Sequence, residues 1–311
     1  MKRLSLLLMV LPLVAQTPAQ TSVPRPKILG VAHLAVFVSD LAKAREFYQG
    51  ILGYDEPFTL PKQDGSVQMT FVKINDRQWI ELFNEPNKGE GQLNHIALYT
   101  DNADQMRRYL ASKGVKVPQT VGKGRIGNKN FMVTDPDGHD VEIVEYQPDG
   151  WTMKDDGKHL PASRLSEHAM HVGIIVTDLD AATKFYGDVL GFREFWRGSA
   201  ANSQTLSWTN MRVPDGEDYV EFMLYAKPPA PDARGSAHHI CLRVPDIEKS
   251  LAAVEARPAR KNYTKPLEIR TGINRKRQLN LFDPDGTRIE LMEPNTVDGK
   301  PAASSTLPPP K

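Results

Sequence analysis

Four histidines and four glutamates recur at matched places along the 311-residue chain. They pair as His33 and Glu81, His95 and Glu142, His171 and Glu221, and His239 and Glu290, with separations of 48, 47, 50 and 51 residues. Each His opens a run rich in β-branched residues, and each Glu sits between apolar neighbours, as in Trp79-Ile80-Glu81-Leu82-Phe83. Strand alternation puts Ile80 and Leu82 on one face and Glu81 on the other with Trp79 and Phe83. Val141-Glu142-Ile143, Val220-Glu221-Phe222 and Ile289-Glu290-Leu291 have the same form. If the apolar face packs on a helix, each Glu points to the opposite, concave face. A carboxylate there is costly to bury unless it meets a cation or a donor. Taken singly, such a His is a surface or hydrogen-bonded residue and such a Glu points to solvent. The fourfold recurrence points instead to metal ligation. Two His and two Glu give an N₂O₂ donor set that leaves room for two waters or a bidentate ligand, and it suits Ni, Zn, Co, Fe or Mn. The other four histidines read as incidental: His139 in a turn, His159 in a linker, and His168 and His238 beside the ligand positions with the wrong parity.

The elements that must position these groups are repeated as well. His33-Leu-Ala-Val-Phe-Val-Ser-Asp-Leu, with Phe47-Tyr48 and Leu52-Gly53-Tyr54, recurs 138 residues later as His171-Val-Gly-Ile-Ile-Val-Thr-Asp-Leu, with Phe185-Tyr186 and Leu190-Gly191-Phe192. Asp135-Pro136-Asp137-Gly138 recurs as Asp283-Pro284-Asp285-Gly286. The duplication defines halves at 28–148 and 166–295, joined by a polar linker at 149–165. Asn94-His95-Ile96-Ala97-Leu98-Tyr99 and His239-Ile240-Cys241-Leu242-Arg243-Val244 repeat the opening within each half, giving four modules. In each, a strand ends at a helix N-cap: Asp40, Asp178, Asp246, and Asp101 or Asn102. A helix with an apolar stripe follows (Phe47, Tyr48, Ile51 and Leu52 in the first), and Gly53, Gly114 and Gly191 fall where a left-handed C-cap is wanted. Alternating segments then read as three strands, with Asp-Pro-Asp-Gly as a turn in the second and fourth modules. The expected fold is α+β: four βαβββ modules paired into two cupped mixed sheets.

Composition narrows the function. A net charge of +1 gives no basis for nucleic-acid binding. The single cysteine, Cys241, excludes an intramolecular disulfide and a Cys-rich zinc site. Lys2 and Arg3 followed by the apolar run Leu4 to Ala15 read as a secretory signal peptide over residues 1–19, cleaved after Ala15 or Ala19. The run is shorter than the ~20 residues that span a bilayer. The mature chain is therefore expected to be periplasmic or secreted, without a membrane partner, acting as a monomer or homodimer on a small molecule. The Ala-, Ser- and Pro-rich tail at 296–311 is expected to be disordered.

At these motifs the chain resembles the vicinal oxygen chelate superfamily, which includes glyoxalase I, methylmalonyl-CoA epimerase, extradiol dioxygenases and fosfomycin- and bleomycin-resistance proteins. The resemblance rests on the His-start strand, the Asp-Leu helix carrying Phe-Tyr, and the Asp-Pro-Asp-Gly turn before an apolar-Glu-apolar strand. It covers both halves. It implies paired modules forming one metal site per pair. The order His, Glu, His, Glu is most similar to bacterial glyoxalase I. By that resemblance His33, Glu81, His95 and Glu142 form one ligand set, and His171, Glu221, His239 and Glu290 the other. A second pairing, first module with fourth and second with third, is also known in the superfamily and also completes two sites.

What the resemblance implies chemically is a glyoxalase I-like lyase or isomerase. The metal stabilises an enediolate as a Lewis acid, and Glu142 and Glu290 act as general bases opposite Glu81 and Glu221. A non-haem Fe(II) extradiol-type dioxygenase is the alternative enzyme. It uses two His and one carboxylate, and the extra Glu in each set weighs against it. A protein that sequesters a small molecule in its cups without chemistry is the third reading. The basic residues Lys123, Arg125 and Lys129, and Arg270, Arg275, Lys276 and Arg277, either meet an anionic substrate or are solvated surface charges.

Overall fold

The computed structural model describes residues 23–87 and 89–311. The signal-peptide expectation for residues 1–19 lies outside the described residues.

Each module forms the expected four strands and one helix. The first half holds β1 (Ile28–Val38), β2 (Asp55–Pro61), β3 (Val67–Lys73), β4 (Trp79–Asn84), β5 (Leu93–Thr100), β6 (Gly122–Lys123), β7 (Lys129–Thr134) and β8 (Asp140–Glu145). The second half holds β9 (Ala169–Val176), β10 (Arg193–Gly198), β11 (Trp208–Arg212), β12 (Tyr219–Leu224), β13 (His239–Arg243), β14 (Ile269–Thr271), β15 (Lys276–Phe282) and β16 (Arg288–Thr296). Helices α1 (Leu41–Arg45), α2 (Ala103–Ser112), α4 (Leu179–Ala182) and α5 (Ile247–Glu255) belong to the modules, and α3 (Trp151–Lys154) lies in the linker. Helices α1 and α4 continue as π-helical turns through Glu46–Ile51 and Thr183–Val189. Asp40, Asp178 and Asp246 accept backbone N–H bonds as N-caps, and in the second module Asn102 rather than Asp101 does so. Gly53, Gly114 and Gly191 all have positive φ, as an αL C-cap requires. Among the described residues no helix is long and apolar enough to cross a membrane.

The two sheets run β2-β3-β4-β1-β5-β8-β7-β6 and β10-β11-β12-β9-β13-β16-β15-β14. The first module therefore pairs with the second, and the third with the fourth. The seam in each sheet is the antiparallel pair of first strands, β1 with β5 and β9 with β13. Inside a module the first strand runs parallel to the last.

Parity decides the two faces. Leu34, Val36, Ile80, Leu82, Ile96, Leu98, Val141 and Ile143 of one sheet join Val172, Ile174, Val220, Phe222, Ile240, Leu242, Ile289 and Leu291 of the other in one buried cluster, together with the helical residues Tyr48, Met106, Tyr186 and Val254. Burying each such side chain stabilises by roughly 1.5–3 kcal/mol. A one-residue slip in register would expose the whole set, so the opposite faces are fixed as well. The helices thus lie between the sheets and the cupped faces turn outward.

The halves are also stitched by polar contacts. Tyr48 Oη donates to Asp283 Oδ2 and Tyr186 Oη to Asp135 Oδ2, both at 3.1 Å. The helix of the first module thus docks on the Asp-Pro-Asp-Gly turn of the fourth, and that of the third on the turn of the second. Gln78 accepts from Ala169 N and donates to Ala169 O, both at 2.8 Å.

The linker packs on the first half: Trp151 lies edge-on against Phe58, and Asp155 receives the fully buried Lys73 at 2.9 Å. The tail, expected to be disordered, is held by Ser305 N donating to Arg197 O and Leu206 N donating to Pro308 O. Its prolines suit this arrangement, since they need no partner for a backbone N–H.

Asp283 is buried, and burial foremost pushes its pKa up to about 6. An acid whose folded pKa lies above its unfolded value of about 3.9 binds protons more tightly when folded. Its contribution therefore favours folding below about pH 4 and is lost as pH rises towards 6, leaving a penalty of about 3 kcal/mol above that. Asp283→Asn keeps an acceptor for Asp285 N and Thr287 N and has no charge to bury. Its stability relative to the wild type should therefore rise between pH 4 and 6.5 in urea denaturation. A pH-independent difference would contradict this assignment.

Candidate functional site

Sheet register brings the eight residues together. In the first sheet Ala35 of β1 lies between Glu81 of β4 and His95 of β5, and Ala97 of β5 lies between His33 of β1 and Glu142 of β8. The second sheet repeats the plan: Gly173 lies between Glu221 and His239, and Cys241 between His171 and Glu290. Small residues at the four crossing points let the long side chains converge over them.

In the first cup His33 Nε2 and His95 Nε2 face each other at 2.8 Å. Glu142 Oε2 lies 2.9 Å from the former and 3.0 Å from the latter. Glu81 completes the group at 3.6 Å from His33 and 4.0 Å from His95. All four are buried. His95 Nδ1 lies 2.8 Å from Asn94 Oδ1, a pairing in which Nδ1–H donates and Nε2 carries the free lone pair, the form a metal ligand needs. Asn130 Nδ2 donates to Glu142 Oε1 at 2.5 Å and fixes that carboxylate. The two nitrogens can share a proton or face a metal ion, and with two carboxylates beside them the donor set fits a divalent metal. Donor atoms of His33, Glu81 and His95 all lie within 4.8 Å of one another, as do those of His171, His239 and Glu290.

Electrostatics divides the two carboxylates. Burial raises the pKa of Glu81 against the pull of His33 and His95. Burial acts on Glu142 in the same sense, but its close contacts to both imidazoles win and hold it ionised. For His33, burial favours the neutral ring, and Glu81 and Glu142 outweigh it and raise the pKa.

A cavity of about 210 Å³ lies over this set. Its walls include the apolar Leu60, Met69, Phe71, Trp79, Phe83 and Tyr146 together with the polar Arg125, Asn128 and Asn130. Thr152 of α3 also lines it, held by Asn128 Nδ2 at 2.8 Å.

The second cup has the same donors in a different setting. His171 Nε2 and His239 Nε2 are 3.0 Å apart, Glu290 lies 3.4 and 3.6 Å from them, and Glu221 lies 3.9 and 3.5 Å away. His239 Nδ1 faces Ala237 O at 2.8 Å. Arg288 enters this cup, with Nη2 at 2.8 Å from Nδ1 and 3.0 Å from Nε2 of His239. Burial first, and then Arg288, lowers the pKa of His239 to about 3.

Of the basic residues, Arg125 and Arg270 line the two cavities. Lys123 pairs with Asp149, Lys129 with Asp104, Arg275 with Asp298 and Arg277 with Glu248, as surface charges do. Burial lowers the pKa of Lys276. The four remaining histidines stay outside both ligand sets: His139 pairs with Asp135, His159 with Asp155 and His168 with Asp218, while His238 meets His139 edge-on.

Two site residues were missed from sequence. Arg288 lies two residues before Glu290 on the same strand, so alternation already assigns it to the concave face. Asn130 has no comparable signal, because its reach to Glu142 depends on cross-strand register.

The family model of the Glyoxalase/Bleomycin resistance protein/Dioxygenase superfamily matches residues 30–143 and 168–291, and the chain belongs to this superfamily. It is 22% identical over 309 residues to a lactoylglutathione lyase of Schizosaccharomyces pombe, covering 84% of this chain and 95% of that one. Two solved structures share the fold. An extradiol ring-cleaving dioxygenase from B. fuscum has a TM-score of 0.64 at 18% identity, over 93% of this chain and 78% of that chain. The Mn(II)-bound glyoxalase from Novosphingobium aromaticivorans has a TM-score of 0.61 at 16% identity, over 86% and 83%. The superfamily consists largely of metal-dependent enzymes acting on small molecules, and the two buried donor groups fit that class.

Ligation requires neutral imidazoles and ionised carboxylates, so a metal must displace the proton that Glu81 and Glu142 favour on His33. Affinity for Mn²⁺ should therefore rise with pH through the elevated His33 pKa. Calorimetry in buffers of different ionisation enthalpy should register proton release on binding. A binding enthalpy independent of buffer would contradict this.

Proposed function

We propose that the protein is a divalent-metal-dependent enzyme of the glyoxalase I type, a lyase or isomerase that moves a proton between carbons of a small oxygenated substrate. The observation that carries this reading is the four-donor set in the first cup, where Glu142 contacts both imidazoles and Glu81 closes the group. His33, His95, Glu81 and Glu142 would hold the metal, which when bound supplies Lewis-acid polarisation of adjacent substrate oxygens. Nickel, zinc, cobalt, iron and manganese all suit these donors.

Glu142 is the proposed base. Its low proton affinity comes from the charge and N–H groups of the two imidazoles that face it, and it recovers when those N–H groups are lost. Asn130 keeps one oxygen in place while the other accepts the proton from one carbon and returns it to the next. Glu81 is its partner across the metal. Glu290 and Glu221 hold the corresponding places in the second cup. The apolar wall of Leu60, Met69, Phe71 and Trp79 favours a substrate with a hydrocarbon or aromatic portion. Export by the N-terminal segment at 1–19 belongs to the same proposal and would place this chemistry outside the cytoplasm.

One observation favours a second reading. His33, His95 and Glu81 taken alone form the two-His-one-carboxylate arrangement of Fe(II) oxygenases. Ring-cleaving activity would require Glu142 to withdraw from both imidazoles.

Activity separates the two. With Ni²⁺, Co²⁺ or Zn²⁺ the protein should exchange solvent deuterium into a small α-hydroxycarbonyl compound, followed by proton NMR. Glu142→Gln should lower that rate by about 10²–10⁴-fold while circular dichroism stays unchanged. Full activity in Glu142→Gln would refute the base assignment. Oxygen uptake on a catechol with Fe(II), without exchange, would establish the dioxygenase instead.

A further inference from the structure

We propose that the two cups have diverged: the first takes a divalent metal, and in the second the guanidinium of Arg288 holds the cation position, so that the chain binds one metal ion rather than two. The inference rests on the metal reading of the first cup and concerns the second.

The first support is direct geometry. Arg288 Nη2 lies 2.8 Å from Nδ1 and 3.0 Å from Nε2 of His239, so the guanidinium rests against the ring beside the atom whose lone pair a metal in that cup would need. A positive charge in contact with the donor set repels a dication placed among the same donors. A guanidinium does not lose its charge at any working pH, so it cannot yield by deprotonation as a lysine could.

The second support is the floor of the cup. Gly173 lies under His239, and a Cβ there would come within 2.0 Å of His239 Cε1 and 2.1 Å of Nδ1. The first cup has Ala35 at the same crossing point, between Glu81 and His95. His239 therefore lies down over a glycine in a place that the corresponding His95 cannot occupy, and Arg288 stands beside it. The position two residues before the last-strand Glu differs in sign as well: Asp140 in the first half, exposed at the strand start, and Arg288 in the second. An arginine in contact with the donors repels a dication.

The third is the surroundings of the carboxylates. In the first sheet Phe71 and Met132 face Glu81 and Glu142 across the ladder, whereas in the second Asn210 and Asn280 face Glu221 and Glu290. Both cavities have arginine and amides in their walls, but only the second brings a guanidinium onto the donors: Arg125 of the first bonds Gln68 and Pro61 O, whereas Arg288 of the second lies against His239.

Equilibrium dialysis of the full chain against Mn²⁺, followed by elemental analysis, tests this. The wild type should retain one equivalent, lost in His95→Ala and kept in His239→Ala. Arg288→Ala should retain two. Two equivalents in the wild type would overturn the inference. So would a single equivalent lost in His239→Ala and kept in His95→Ala, or an Arg288→Ala variant, folded by circular dichroism, that stays at one. The two histidine variants decide the matter even if Arg288→Ala does not fold. Zero equivalents in the wild type would instead remove the metal reading itself, and this inference with it.

Discussion

Ionisable side chains withdrawn from water must compensate one another, and this constraint organises both outward faces of the molecule. His33, His95, Glu81 and Glu142 are all buried in the first cup, where an isolated carboxylate would cost several kcal/mol. The arrangement that relieves this cost is set by backbone register. The antiparallel seam of β1 and β5, flanked by the parallel strands β4 and β8, places two His and two Glu diagonally around Ala35 and Ala97. The seam exists because the other face of the same strands carries the shared core. Fold stability and site geometry are therefore two consequences of one alternation pattern.

Duplication then allows the copies to differ. Each half has four donors, N-capping residues and an Asp-Pro-Asp-Gly turn, and the turns carry the docking of Tyr48 on Asp283 and Tyr186 on Asp135. Across the ladder the carboxylates of the first cup meet Phe71 and Met132, while those of the second meet Asn210 and Asn280, and Arg288 lies against His239. At core positions the halves exchange one apolar residue for another, as Leu34 for Val172 and Leu82 for Phe222, whereas around the donors they differ in charge and polarity. That distribution is expected if packing constrains one face and ligand the other.

Much of this was legible in the sequence, for identifiable reasons. The four modules followed from repeats, and the inward direction of the four Glu from period-two alternation with apolar neighbours such as Ile80 and Leu82. Module pairing was not legible. Each first strand carries similar chemistry, so the motif cannot say which strand lies beside it. Helix docking in fact runs first to fourth and second to third while sheet pairing runs first to second and third to fourth. The tail misled because composition reports side-chain hydrophobicity, whereas residues 305–308 are held through their backbone. Asn130 stayed hidden because its role depends on cross-strand distance. Arg288 was legible by the alternation that places Glu290, since the two lie two residues apart on one strand.

The central claim is that His33, Glu81, His95 and Glu142 surround one divalent ion. Anomalous diffraction from crystals grown with Mn²⁺, recorded above the manganese edge, tests it most directly. The account predicts a strong peak in the first cup, about 2.0–2.2 Å from both imidazole Nε2 atoms and at similar distance from the carboxylates. A featureless first cup at saturating Mn²⁺, with the four side chains still clustered, would contradict it.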